Sequence, residues 1–281
     1  MASIKRGRLI VQVLFAALSN GYLKGFAKGR IYTGNSKFLC TPGMNCYSCP
    51  GALFSCPIGS LQATLSARGF LISMYAVGFM VLFGTVLGRA VCGFLCPFGL
   101  IQDLLYRIPF KRKIGKLRYE KPLRLLRVLV LTLFVILLPL LAVDITGLGK
   151  PWFCKLICPV GTLEAGVPLV LANSMIRGAI GFLYTWKVLL LLLTLLISIV
   201  IYRPFCRYLC PLGLVYGLFN RFAFYRYEID SERCTLCGLC QKRCKLDIAV
   251  FKNPNSIDCI RCGECITSCP ENAIRSTLRR R

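Results

Sequence analysis

Apolar residues along this chain gather into long runs instead of recurring at the three-to-four-residue spacing of a half-buried helix. Runs at 70–87, 123–143 and 182–202 each approach the roughly 20 residues that a bilayer-crossing helix needs. A fourth, at 9–23, is shorter and follows the basic start Lys5-Arg6-Gly7-Arg8, a pattern shared with secretory signal peptides. It is read as a helix because an internal repeat gives it a spanning counterpart. The pattern predicts a mainly α fold. It would be a polytopic membrane bundle of two parallel repeats, about four spanning helices with interfacial helices between them, followed by a small α+β domain.

Composition supports the membrane reading, with 56% hydrophobic and 17% charged residues and a mean hydropathy of +0.64. An ordinary soluble domain is excluded. Nine basic residues lie between positions 102 and 127 (Arg107, Lys111, Arg112, Lys113, Lys116, Arg118, Lys121, Arg124, Arg127), against three in the loop 144–177. The positive-inside rule then puts both termini in the cytoplasm, in the inner membrane of a prokaryote. Lys24, Lys28, Arg30 and Lys37 in the first outer loop run against this. The net charge of +25 comes with no nucleic-acid motif. Topology, compensation of anionic clusters and an anionic lipid surface account for it. The tail 279–281 reads as solvated.

The chain repeats itself. Cys92-Gly-Phe-Leu-Cys96-Pro-Phe-Gly aligns with Cys206-Arg-Tyr-Leu-Cys210-Pro-Leu-Gly, and Cys56-Pro-Ile-Gly with Cys158-Pro-Val-Gly. Further upstream, Thr33 to Cys40 matches Thr146 to Cys154 with one residue inserted. This divides the chain into repeat 1 (1–120), repeat 2 (121–228) and a C-terminal domain (229–281), the repeats pairing about an axis along the membrane normal.

With 18 cysteines and no histidine, thiolates are the main soft ligands, which points to iron in iron–sulfur clusters and excludes His-ligated haem. Two C-x-x-x-C-P motifs, each with thiols about 6 Å apart on one helix face, would meet to supply Cys92, Cys96, Cys206 and Cys210 to one inner cluster. By the same symmetry Cys40, Cys56, Cys154 and Cys158 would form an outer cluster, with buried structural cysteines or an outer disulfide as the competing reading. Cys46 and Cys49 lie in an insertion, 41–55, that the second copy lacks. They stand as a disulfide, a redox dithiol, or replacement ligands in place of Cys40, with the dithiol or disulfide favoured.

The last 50 residues carry Cys234-x2-Cys237-x2-Cys240-x3-Cys244 and Cys259-x2-Cys262-x2-Cys265-x3-Cys269-Pro270, the spacing of two-cluster ferredoxins. There the fourth cysteine of each run serves the other cluster. One [4Fe-4S] cluster would use Cys234, Cys237, Cys240 and Cys269, the other Cys259, Cys262, Cys265 and Cys244. Lys245 stands where the pattern has Pro. A zinc ribbon is the minor competitor.

Ferredoxin runs behind helices bearing C-x-x-x-C-P resemble the membrane polyferredoxins of the NapH/NosR type. The resemblance implies electron transfer between a cytoplasmic donor or the quinol pool and an extracytoplasmic acceptor, with a flavin or quinone on a partner. The chain is expected to be an electron-transfer subunit with no substrate chemistry of its own. Two alternatives stand beside this: a thiol–disulfide carrier acting through Cys46 and Cys49, and a redox-sensing or maturation factor. A 20-residue helix is about 30 Å long, a wide gap for one electron step between inner and outer sites.

Overall fold

The computed structural model describes residues 2–66, 70–111, 113–115, 117, 119–142, 149–178 and 180–279. Arg112, Lys116, Arg118, Arg280, Arg281 and the segment 143–148, which holds the start of the second-copy match at Thr146, lie outside them. The described chain is mainly helical, with one two-stranded sheet.

Two helices, Pro122–Leu141 and Phe182–Val200, are long and apolar enough to cross a membrane. Only 22% and 11% of their apolar windows are buried by the rest of the protein, so their apolar surface faces outward, unlike a core helix. Phe70–Leu87 is helical as expected, with side chains described from Met74. The 9–23 run is broken. The first helix is Ala2–Ser19, and Leu23–Lys28 is a separate short turn. Asn20 and Gly21 cause the break, the Asn20 amide turning back to donate to the Ala16 carbonyl at 3.2 Å instead of extending the helix.

Two other helices change winding ahead of a proline. Val130–Leu137 is π-wound before Pro139, and Thr162–Gly166 before Pro168. Proline lacks the N–H that would reach the carbonyl four residues back, and the wider turn absorbs the mismatch.

The C-terminal domain is pinned at its ends by antiparallel strands Tyr227–Ile229 and Ile274–Ser276, with Glu228 opposite Arg275. It packs directly on the helical part. Asn220 donates to the carbonyls of Ser256 (2.8 Å) and Cys259 (2.9 Å). Asp258 receives Arg89 at 3.1 Å, Arg127 at 2.6 Å and Arg124. Burial raises the Asp258 carboxyl, and these three guanidiniums more than reverse it, holding it below the usual carboxylate range. Arg124 and Arg127, which the charge count treats as topology signals, thus anchor this domain. One continuous apolar core joins all parts.

Candidate metal centres

Each C-x-x-x-C-P motif is a short helix, Ala90–Phe94 or Pro204–Tyr208, followed by a second that begins at the proline, Pro97–Leu105 or Pro211–Phe219. Proline suits a first helical turn, where its missing N–H costs nothing. The cysteine before it caps the new helix, Cys96 Sγ accepting from Gly99 N and Cys210 Sγ from Gly213 N, both at 3.4 Å. Backbone donors of this kind favour the thiolate form that binds metal.

The two motifs clasp each other. Arg89, three residues before Cys92, donates to the Cys206 carbonyl at 2.6 Å; Arg203, three before Cys206, donates to the Cys92 carbonyl at 2.5 Å. Phe98 and Phe205 meet edge to face at 5.4 Å. Gln102 donates to Cys206 Sγ at 3.2 Å. Asp103 fixes Arg203 through both carboxylate oxygens, at 2.7 and 2.6 Å, and also receives Arg8 at 3.2 Å. Cys92, Cys96, Cys206 and Cys210 are all buried and lie within electrostatic reach of one another. Arg89 Nε is a buried donor without a partner among the described residues, fitting an acceptor at this site.

A cavity of about 350 Å³ forms the outer site, and the cysteines lining it are Cys46, Cys56, Cys154 and Cys158. Cys40 is not among them. Its backbone bridges to Ser55, and its thiol lies 3.7 Å from Ser60 Oγ. The site's own symmetry equates Cys46 with Cys154. A Cβ on Gly59 would sit 4.0 Å from Cys154 Sγ, and one on Gly161 would sit 3.5 Å from Cys46 Sγ. Gln62, six residues after Cys56, donates to Cys154 Sγ at 3.3 Å; Glu164, six after Cys158, accepts from Cys46 N at 2.7 Å. Cys49 turns the other way, toward Asn20 Oδ1 at 3.6 Å, and is 1% exposed. The Cys46/Cys49 pair is therefore split between two environments, and all eighteen cysteines are free.

In the C-terminal domain Cys234, Cys237, Cys240 and Cys269 line one cavity, while Cys244, Cys259, Cys262 and Cys265 line another. The backbone wraps both alike. Leu236, Gly238 and Asp247 have positive φ, as do Arg261, Gly263 and Asn272, the same positions 25 residues on. Repeated left-handed turns of this kind aim successive amides inward and suit an anionic centre. Among the described residues no three Cys, Asp or Glu side chains converge on a single-ion site; the thiols stand around cavities, the arrangement a polynuclear cluster requires.

Sequence reasoning missed Arg89, Arg203, Gln62, Gln102 and Met44. The spacing held a signal for the first four: an Arg three residues before each inner motif, and a Gln six after both Cys-Pro-x-Gly cysteines of the first copy.

A 4Fe-4S binding domain family matches residues 68–116, 129–170 and 183–226, and a second 4Fe-4S binding domain matches 255–275. The chain belongs to the 4Fe-4S-binding, ferredoxin-type proteins. An uncharacterized protein of Methanocaldococcus jannaschii is 29% identical over 67% of this chain and 64% of its own length. The putative electron transport protein YccM of Escherichia coli is 28% identical over 80% of this chain and 58% of its own. The ferredoxin-type protein NapH of Haemophilus influenzae is 29% identical over 74% and 69%. The chain thus spans less than two thirds of two of these three relatives. No solved structure matches. The chain carries repeated 4Fe-4S binding segments.

Proposed function

We propose that the chain carries electrons through the cytoplasmic membrane along four [4Fe-4S] clusters, between a cytoplasmic donor or the quinol pool and an extracytoplasmic acceptor. Residues 1–120 and 121–228 form two parallel membrane repeats, and 229–281 form the cytoplasmic ferredoxin domain. The ligand sets are Cys234, Cys237, Cys240 and Cys269; Cys244, Cys259, Cys262 and Cys265; Cys92, Cys96, Cys206 and Cys210; and Cys46, Cys56, Cys154 and Cys158. Bound clusters supply one-electron chemistry, and the chain's residues hold, orient and insulate them.

The observation that carries this reading is Met44. Its amide is directed at the Cys96 sulfur of the inner set, while its Sδ lies 4.0 Å from Cys56 Sγ of the outer set. The segment 42–46 descends between the two repeats, where the Tyr216 hydroxyl donates to the Pro42 carbonyl at 3.0 Å. The two sites therefore abut, and the gap of a full helix length disappears. On the other side, a Cβ at Gly93, between Cys92 and Cys96, would run into the Ile260 carbonyl, so the ferredoxin loop beside Cys259 touches the inner motif. A common location of both termini is supported by the cavity that Arg6 and Arg8 share with Lys245 and Glu264.

Iron and acid-labile sulfide after anaerobic purification test the reading. Four clusters give about sixteen irons per chain and the ferredoxin pair alone about eight; a value near eight sinks it. In liposomes, sustained reduction of an enclosed acceptor separates a conduit from a sensor.

A further inference from the structure

The cavity that joins the first helix to the ferredoxin domain has a volume of about 340 Å³ and contains no cysteine. Four cations, Arg6, Arg8, Arg107 and Lys245, face two carboxylates, Asp103 and Glu264. Both carboxylates are already engaged. Arg203 grips Asp103 through two oxygens, and Lys245 holds Glu264 at 2.9 Å. Among the described residues neither Arg6 nor Arg107 has a carboxylate partner. Arg8 is 7% exposed, so its charge is held in the wall. Aromatic rings line the rest, Tyr106 and Tyr202 meeting edge to face at 5.2 Å, with the Lys245 ammonium 5.0 Å over Tyr202. Lys245 is the residue that departs from the ferredoxin pattern, and a proline there would supply no charge. Arg8 is itself paired with Asp103 in the wall, while Arg6 and Arg107 stand exposed at the rim, so the open space carries a surplus of cations that an anion would complete.

We propose that this cavity binds the phosphate group of a phosphate ester, from an anionic phospholipid headgroup or a soluble phosphate compound. Arg6, Arg8 and Arg107 supply the guanidinium forks that match phosphate oxygens, and Lys245 adds a point charge. Exposed Ile10, Ile108 and Phe110 flank these residues in sequence and offer an apolar border for acyl chains. Arg8 and Lys245 also act electrostatically on Cys262, so a bound phosphate changes the charge around one ferredoxin ligand.

Full-length, cluster-loaded protein in detergent is titrated with phosphatidylglycerol and phosphatidylcholine, read by native mass spectrometry, and with inorganic phosphate, read by calorimetry. We expect anion binding that the Arg6→Gln/Arg107→Gln variant loses at least tenfold, with cluster absorption unchanged. A tenfold preference for phosphatidylglycerol assigns the site to a lipid headgroup; saturable phosphate binding without lipid preference assigns it to a soluble ester. Equal binding by variant and wild type, or no binding of either anion, overturns the proposal. Should the double variant lose its cluster absorption, Arg107→Gln alone, at an exposed position, carries the same comparison.

Discussion

Arg89 and Arg203 exchange carbonyls, each donating to the backbone of the first cysteine in the other's motif. Neither half can present its thiols in this geometry without the other. Arg203 is 1% exposed and its charge is matched by Asp103. Arg203→Gln leaves the buried Asp103 with Arg8 as its remaining cation, an arrangement expected to cost about 3–5 kcal/mol. A lowered unfolding midpoint together with loss of about four irons per chain checks it.

Replacing Cys46 with Ser is expected to remove about four irons, whereas Cys40→Ser leaves the count unchanged. Iron analysis of the two variants side by side decides between them. Equal loss from both would restore Cys40 to the outer set.

Cys269→Ser removes a ligand from the cavity of the first ferredoxin run, not from that of its own run. EPR of the reduced variant should therefore show the Cys259/Cys262/Cys265 centre intact and the Cys234/Cys237/Cys240 centre altered. The reverse pattern would mean that each run closes on itself.

Asp258 ties the ferredoxin domain to Arg89, Arg124 and Arg127. Asp258→Asn should raise amide hydrogen exchange in 255–265 by tenfold or more while sparing the helices. Since the native carboxyl lies below its unfolded value, its contribution is complete above pH about 4 and fades as pH falls through the native value. Protection in this segment of wild type, corrected for the intrinsic exchange rate at each pH, should fall on acidification and in the Asn variant should not.

Gly93→Ala puts a methyl against the Ile260 carbonyl, so the ferredoxin loop must shift away from the inner motif. Slower oxidation of the ferredoxin centres by an acceptor at the outer side, measured by stopped-flow, is the expected result, with the iron count retained.

Much of this was legible in the sequence, because cysteine spacing is a local property. The ferredoxin runs and the C-x-x-x-C-P motifs place their thiols through nearby backbone, and apolar run length marked Pro122–Leu141 and Phe182–Val200. The outer set was harder. Aligning the repeats by residue identity equates Cys40 with Cys154, but the insertion 41–55 carries Cys46 into the position that symmetry demands. That fold-back depends on distant partners, Glu164 and Gly161, which no local pattern announces. Met44 was equally hidden from the sequence, since its Sδ meets Cys56 Sγ from a loop whose path no local pattern announces. Arginines counted as topology charge proved to be anchors because their carboxylate, Asp258, sits more than a hundred residues away.

The docking of the ferredoxin domain also sets an order of assembly. Its segment 256–261 is held at once by Arg89 from the first half and by Arg127 and Asn220 from the second. That seat does not exist until the two halves have closed, so docking of this segment is also a check that the parts before it have met.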